Sequence, residues 1–134
     1  MNPIDTKKKI YITWSDVEEY IANLVEEVNK RNVPISGVYG LPRGGLVFAV
    51  MLSHKLNVPL LMHPYGNCLI VDDICDSGRS LIHYKPNDTM FLDTFFISTM
   101  FYTGRSEVVP DYYFKDIGKD FTKDSWIVFP WELD

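Results

Sequence analysis

The stretch that most constrains this chain is Cys68-Leu69-Ile70-Val71-Asp72-Asp73-Ile74-Cys75-Asp76-Ser77-Gly78-Arg79-Ser80. Its four leading apolar residues show no polar alternation, the pattern of a strand buried on both faces. Asp76 and Ser77 are good N-cap residues, and Leu81, Ile82 and Tyr84 follow where a helix could pack back on the sheet. The sequence therefore predicts a strand, a tight loop and a helix N-terminus. Three carboxylates and two hydroxyls gather at the strand's C-terminal end, the edge where open α/β sheets bind ligands.

That arrangement dictates a chemistry. Amides from Ser77 to Ser80 at a first helical turn would converge on one point, where the helix dipole also favours an anion. Gly78 permits close approach of the backbone, and the Ser77 and Ser80 hydroxyls add donors. Such a cradle suits a phosphate monoester. Asp72 and Asp73 precede it, placed to accept hydrogen bonds from sugar hydroxyls or to hold a hydrated Mg²⁺. Together they describe a site for a phosphorylated sugar.

Two plainer readings compete. An Asp-Asp-x-x-Asp string also serves Mg-diphosphate sites on the helices of isoprenoid synthases, but here it follows a β-like run and precedes Ser-Gly. A solvated acidic loop after a core strand would explain the acids alone, though not the whole string. The full string closely resembles the signature of type I phosphoribosyltransferases, which bind phosphoribosyl pyrophosphate (PRPP).

At 134 residues the chain reads as a single domain, 1–134, long enough for a real core. A hydrophobic share of 46% and an aromatic share of 14% argue for a globular chain, and the formal charge of −5 indicates no nucleic-acid surface. No apolar run reaches membrane-spanning length, and the N-terminus has no signal-peptide pattern. Cys68 and Cys75 flank the acidic string and read as reduced, buried thiols, which fits a cytoplasmic setting. His54, His63 and His83 lack metal-ligand spacing and read as surface or packing residues.

Residues 1–9, with the Lys7-Lys8-Lys9 run, read as loose. Tyr11 to Trp14 is a short extended piece, and Ser15-Asp16-Val17-Glu18 reads as a capping box. Val17, Tyr20, Ile21, Leu24, Val25 and Val28 then form a helical stripe that should cover one face of the sheet. Ile35 to Gly40 reads as the first core strand, Leu41-Pro42-Arg43-Gly44-Gly45 as a loop, and Leu46 to Leu56 as an apolar helix. In that loop the glycines expose amides and Arg43 offers a fork for phosphate. Leu60 to His63 is expected as a strand, joined to the next only by Pro64-Tyr65-Gly66-Asn67. A short helix after Ser80 should end near Lys85 to Asp88, with a further strand from Thr89 to Ser98. The alternation implies a mainly parallel sheet with helices on both faces. Asp111 to Phe114 reads as an edge strand.

In the closing segment Asp124 to Glu132, Phe129 and Trp131 read as plugs for the sheet. Trp126, followed by Ile127, offers a flat indole suited to stacking on a heterocycle. This segment resembles the C-terminal hood of bacterial xanthine-guanine and related hypoxanthine purine phosphoribosyltransferases, which hold the purine there. Thr13-Trp14 and Arg43-Gly44-Gly45-Leu46-Val47 match the same subgroup, so the resemblance covers nearly the whole chain.

The resemblance implies an α/β, compact parallel-sheet phosphoribosyltransferase-like fold with a small C-terminal hood over about residues 100–134. It implies transfer of 5-phosphoribosyl from PRPP to a purine base, with Mg²⁺ as cofactor and pyrophosphate released. The 5′-phosphate would lie on Asp76, Ser77, Gly78, Arg79 and Ser80. The ribose and Mg²⁺ would lie on Asp72 and Asp73, pyrophosphate on Arg43, Gly44 and Gly45, and the purine on Trp126 and Ile127. Asp76 would stand near purine N7 as the catalytic residue, and the Pro42–Arg43 peptide would be cis. Partners are then PRPP and a purine base or nucleotide, with no nucleic acid; a homo-oligomer stays open.

Two departures leave an alternative standing. The family's long flexible loop before the acidic strand is reduced here to four residues, Pro64 to Asn67. Its purine-reading lysine is missing from Ser98 to Arg105, with Arg105 and Lys115 as substitutes that do not sit where the pattern asks. A non-catalytic PRPP- or nucleotide-binding module on the same fold is the rival reading.

Overall fold

Nine elements follow in order in the computed structural model, which describes residues 8–84 and 94–132. They are β1 (Lys8–Tyr11), α1 (Trp14–Lys30), β2 (Gly37–Gly40), α2 (Leu46–Leu56), β3 (Cys68–Cys75), a short 3₁₀ helix (Ile82–Tyr84), β4 (Phe96–Tyr102), β5 (Tyr112–Asp116) and β6 (Ser125–Val128). The main sheet has four parallel strands in the order β2-β3-β4-β5. No helix among the described residues is long and apolar enough to cross a membrane.

The apolar stretches fold where their pattern puts them. Cys68 to Val71 is fully buried in β3, between β2 and β4. The strand then carries the acids themselves, pairing Asp72 with Thr99 and Ile74 with Phe101. β4 is buried along its whole length, and β5 lies at the sheet edge, as expected of the Asp111 to Phe114 segment. The α1 stripe of Val17, Tyr20, Ile21, Leu24 and Val28 is buried, with Val25 partly so. Tyr20 meets Phe48 of α2 edge-on at 5.3 Å, and its hydroxyl lies 2.7 Å from the Ser98 hydroxyl of β4. Burial pushes that phenol well above its ordinary pKa. Cys68 and Cys75 are buried thiols with no disulfide between them.

Several local expectations are corrected. The capping box lies two residues earlier: Thr13 accepts from the Asp16 amide at 3.1 Å, and Asp16 accepts from the Thr13 amide at 2.9 Å. Thr13 already has the extended backbone of an N-cap, and the short Asp16 side chain reaches back as a glutamate would. Lys8 and Lys9, expected loose, are in β1; residues 1–7 lie outside the described residues. Leu60 to His63 makes one bridge, Leu60 to Val38, in place of a strand. Pro59 and Pro64 flank it, and Met62 points outward at 88% exposure, so the segment follows β2 only briefly. The expected strand from Thr89 begins at Phe96 within the described residues and runs on to Tyr102.

Among the described residues, both α-helices pack together on one face of the sheet, where two flanking layers were expected. Their core includes Leu24, Phe48, Leu52, Leu69, Met100 and Phe129. The opposite face is covered by loop and 3₁₀ residues such as Leu41, Leu61, Leu81 and Val108. The closing segment returns to the start of the chain: β6 pairs in parallel with β1, Ile127 opposite Ile10. Phe129 and Trp131 stack at 5.1 Å and meet Phe48, so they plug the sheet as expected.

Candidate functional site

The C-terminal ends of β2 and β3 bring Arg43, Gly44 and Gly45, the acids Asp72, Asp73 and Asp76, and Ser77 to Ser80 to one edge. Trp126 and Ile127 come from β6 in the second, two-stranded sheet. Gly40 ends β2 and the loop 41–45 turns back over β3, with the Leu41 amide on the Val71 carbonyl at 3.0 Å. The Pro42–Arg43 peptide is cis, as the resemblance implied. A side chain at Gly45 would strike the Val71 carbonyl, and one at Gly44 would strike the Asp73 carboxylate. Glycine is what lets this loop lie against the acids.

The two adjacent acids differ sharply. Asp72 is only 8% exposed, and Asp73 is half-buried beside it. The Asp73 amide donates to Asp72 at 2.9 Å, and the Ile74 amide donates to Asp73 at 2.8 Å. Burial, then the Asp73 charge and a side-chain hydrogen bond to it, push the Asp72 carboxyl up to about 8. Burial thus favours the neutral form of Asp72, while the Asp73 carboxyl group lies against Gly44. No trio of His, Cys, Asp or Glu among the described residues would cage a metal. A single carboxylate completed by water and ligand phosphate is nonetheless an ordinary coordination of Mg²⁺; Asp73 would supply it, with Asp72 buried behind.

The loop after β3 differs from the helix N-terminus expected there. Gly78 has φ +77°, outside the right-handed helical region, and the Arg79 amide turns onto the Ser77 hydroxyl at 3.3 Å. A turn then leads into the 3₁₀ helix Ile82–Tyr84; the expected helix end near Lys85 to Asp88 lies outside the described residues. The helix-dipole contribution is lost, but the donors stay clustered. No described residue accepts a hydrogen bond from the amides of Ser77, Gly78 or Ser80. A side chain at Gly78 would collide with the Ser106 hydroxyl, so the segment following β4 closes directly on this loop.

Two open clefts meet here. One, of about 370 Å³, is lined by Ser77, Gly78, Arg79 and His83 on one side and by Arg105 and Ser106 on the other. The second, of about 510 Å³, is lined by Asp76, Arg105, Phe121, Thr122, Lys123 and Trp126. Trp126 is 50% exposed, and Ile127 is half-buried against the main core. Lys115 is exposed on β5 and is not among the lining residues. Asp76 thus lines the aromatic cleft, while its neighbour Ser77 lines the other.

Arg105, named from the sequence as a substitute for the purine-reading lysine, borders both clefts. Its guanidinium pairs with Asp76 at 3.2 Å and donates to the Gly118 carbonyl at 3.0 Å and to the Phe121 carbonyl. The Thr103 hydroxyl donates to the same Asp76 oxygen at 2.7 Å. What the sequence did not reveal was its pairing with Asp76, 29 residues earlier.

Comparison with known proteins agrees with this geometry. No protein-family profile matches the chain. The curated xanthine-guanine phosphoribosyltransferase of Chromohalobacter salexigens is 22% identical, over 91% of this chain and 83% of its own. Among solved structures, the purine phosphoribosyltransferase of Pyrococcus horikoshii superposes with a TM-score of 0.71 at 28% identity, covering 94% of this chain and 95% of its own. The Helicobacter pylori xanthine-guanine-hypoxanthine phosphoribosyltransferase gives 0.72 at 20% identity, covering 93% of each chain. The resemblance to type I phosphoribosyltransferases of the purine class is borne out, and the fold of this chain is theirs.

Proposed function

We propose that this chain, built on the phosphoribosyltransferase fold, transfers 5-phosphoribosyl from PRPP to a purine base of the guanine, xanthine or hypoxanthine type. The observation that carries the reading is the junction at Asp76 and Ser77. Two adjacent residues line two clefts, one holding the donors Ser77, Arg79, Arg105 and Ser106 beside the acid Glu107, the other walled by an indole. Phosphate and base lie on opposite sides of the same ribose in a purine nucleotide, and this edge offers them in that order.

In this reading the amides and hydroxyls of Ser77 to Ser80, with Gly78 and Arg79, hold the 5′-phosphate. Asp73, with Asp72 behind it, accepts from the ribose hydroxyls. Arg43, Gly44 and Gly45 grip the pyrophosphate, whose bond to the anomeric carbon breaks as a purine ring nitrogen bonds to that carbon. Trp126 stacks on the purine, with Ile127 beside it, and Asp76 stands where a proton on the base can be managed. Mg²⁺ held by Asp73, and by Asp72 if the metal displaces its proton, would offset the charge of the departing pyrophosphate.

One feature favours slow turnover, and a nucleotide- or PRPP-binding module as the second reading. Residues 64–67 form a tight connection, with Gly66 at φ +64° and the Asn67 carbonyl tied to the Ser36 amide at 2.7 Å. That four-residue turn is too short to reach across a bound sugar, so it supplies no lid to exclude water. The test is product formation from PRPP with adenine, hypoxanthine, guanine and xanthine, beside calorimetric binding of PRPP and nucleoside monophosphates. Nucleotide product establishes the transferase; binding without product establishes the module; neither would refute both.

A further inference from the structure

We propose that Arg105 is a positioning residue that locks Asp76 to the floor of the aromatic cleft and thereby sets recognition of the base. This rests on the purine reading above for its consequence, though the lock itself does not.

Three segments distant in sequence converge on one guanidinium. Asp76, just past the end of β3, pairs with it at 3.2 Å. The loop after β5 supplies the Gly118 carbonyl at 3.0 Å and the Phe121 carbonyl. Arg105 itself follows β4, and its amide lies 3.4 Å from the Thr103 hydroxyl that donates to Asp76. A planar fork with fixed donors suits this better than an ammonium, which cannot satisfy a carboxylate and two carbonyls in one plane. Gly118 brings its loop so close that a side chain there would strike the Thr103 carbonyl. The lock therefore depends on both an arginine and a glycine.

The consequences fall on one side of the site. Two donors of the guanidinium already serve Gly118 and Phe121, and another serves Asp76, so three of its five N–H groups are committed to residues on the aromatic-cleft side, although Arg105 borders the other cleft too. Phe121 and Asp76 both line that cleft with Trp126. Without the fork, Asp76 is no longer fixed by it and the 118–121 loop loses its tie to β3. The slot that a flat base would enter then widens. The cradle amides of Ser77 to Ser80 keep their own turn.

Two measurements test this on the full chain. Hydrogen exchange in the unliganded protein should quicken for residues 117–122 in Arg105→Gln and in Gly118→Ala, and stay unchanged in the core strands. Calorimetry should then show GMP affinity falling roughly tenfold or more in both variants, as for a lost charge-assisted contact. Ribose 5-phosphate affinity should change less than about threefold. Arg105→Lys should recover only part of the GMP loss, and added methylguanidinium should restore part of it in Arg105→Gln. Unchanged exchange at 117–122 overturns the lock whatever the ligands do. Equal losses for GMP and ribose 5-phosphate, or full recovery with lysine, overturn the base-side role. A parent protein that binds neither ligand overturns the phosphoribosyl reading and the base-side role with it, while the exchange result stands on its own.

Discussion

Replacing Asp72 by asparagine should flatten the response of stability to pH. The carboxyl is almost fully buried, and burial and the neighbouring Asp73 charge lift it from 3.8 to about 8. The folded protein therefore keeps a proton that the unfolded chain releases above about pH 4. Its contribution is complete below the unfolded value and is lost as pH rises through the folded one. A single isolated carboxyl moved this far would account for roughly 6 kcal/mol. Because a buried site relaxes and admits water as the acid ionises, about 2–4 kcal/mol is expected. Asparagine keeps an oxygen for the Asp73 amide and never ionises, so it escapes this loss. Urea unfolding, followed by tryptophan fluorescence near pH 5 and near pH 9, measures it. The variant should gain about 2–4 kcal/mol on the parent between those conditions. A difference between the two proteins that does not move with pH would refute the assignment of a buried, protonated Asp72.

Other perturbations address the ligand site and the core. Ser77→Ala with Ser80→Ala should weaken PRPP and nucleoside monophosphates alike, by about 1.5–3 kcal/mol per lost donor, and leave unphosphorylated nucleoside unaffected in calorimetry. Arg43→Ala should weaken PRPP strongly and a monophosphate little; equal losses would mean general damage to the loop. Trp126→Ala should cost about 1–3 kcal/mol in nucleotide binding while the melting temperature barely moves, since the indole is half exposed. Phe48→Ala should lower unfolding free energy by about 3–5 kcal/mol, because Phe48 is wholly buried among Tyr20, Phe129 and Trp131.

What the sequence made legible was the local and periodic part. Cys68 to Val71 announced a strand buried on both faces because Leu69 and Val71 enter the core under the helices while Cys68 and Ile70 enter the cluster on the opposite face. The α1 stripe and the bounds of α2 followed from the same logic of apolar spacing. The continuation of β3 through Asp72 and Asp73 was hidden, because acids read as loop until Thr99 and Phe101 provide a ladder for them. A helix after Asp76 was a sound expectation from capping chemistry. Gly78 and the Ser77 hydroxyl instead satisfy the backbone as a turn, and Ser106 fills the space above it. The pairing of β1 with β6 joins the two ends of the described chain, a separation over which spacing carries no information. Arg105 was obscure for the same reason, since its meaning lies in three carbonyl and carboxylate oxygens from distant loops.

The most direct test of the account is a single turnover with PRPP labelled in the sugar, saturating guanine and Mg²⁺, with nucleotide and ribose 5-phosphate both quantified. The site built from Arg43, Asp73, Asp76, Ser77 and Trp126 predicts guanine nucleotide, formed slowly. Ribose 5-phosphate should accompany it, because the connection at 64–67 leaves the sugar open to water. Full recovery of the label as unreacted PRPP, with no nucleotide at any time, would contradict the transferase reading.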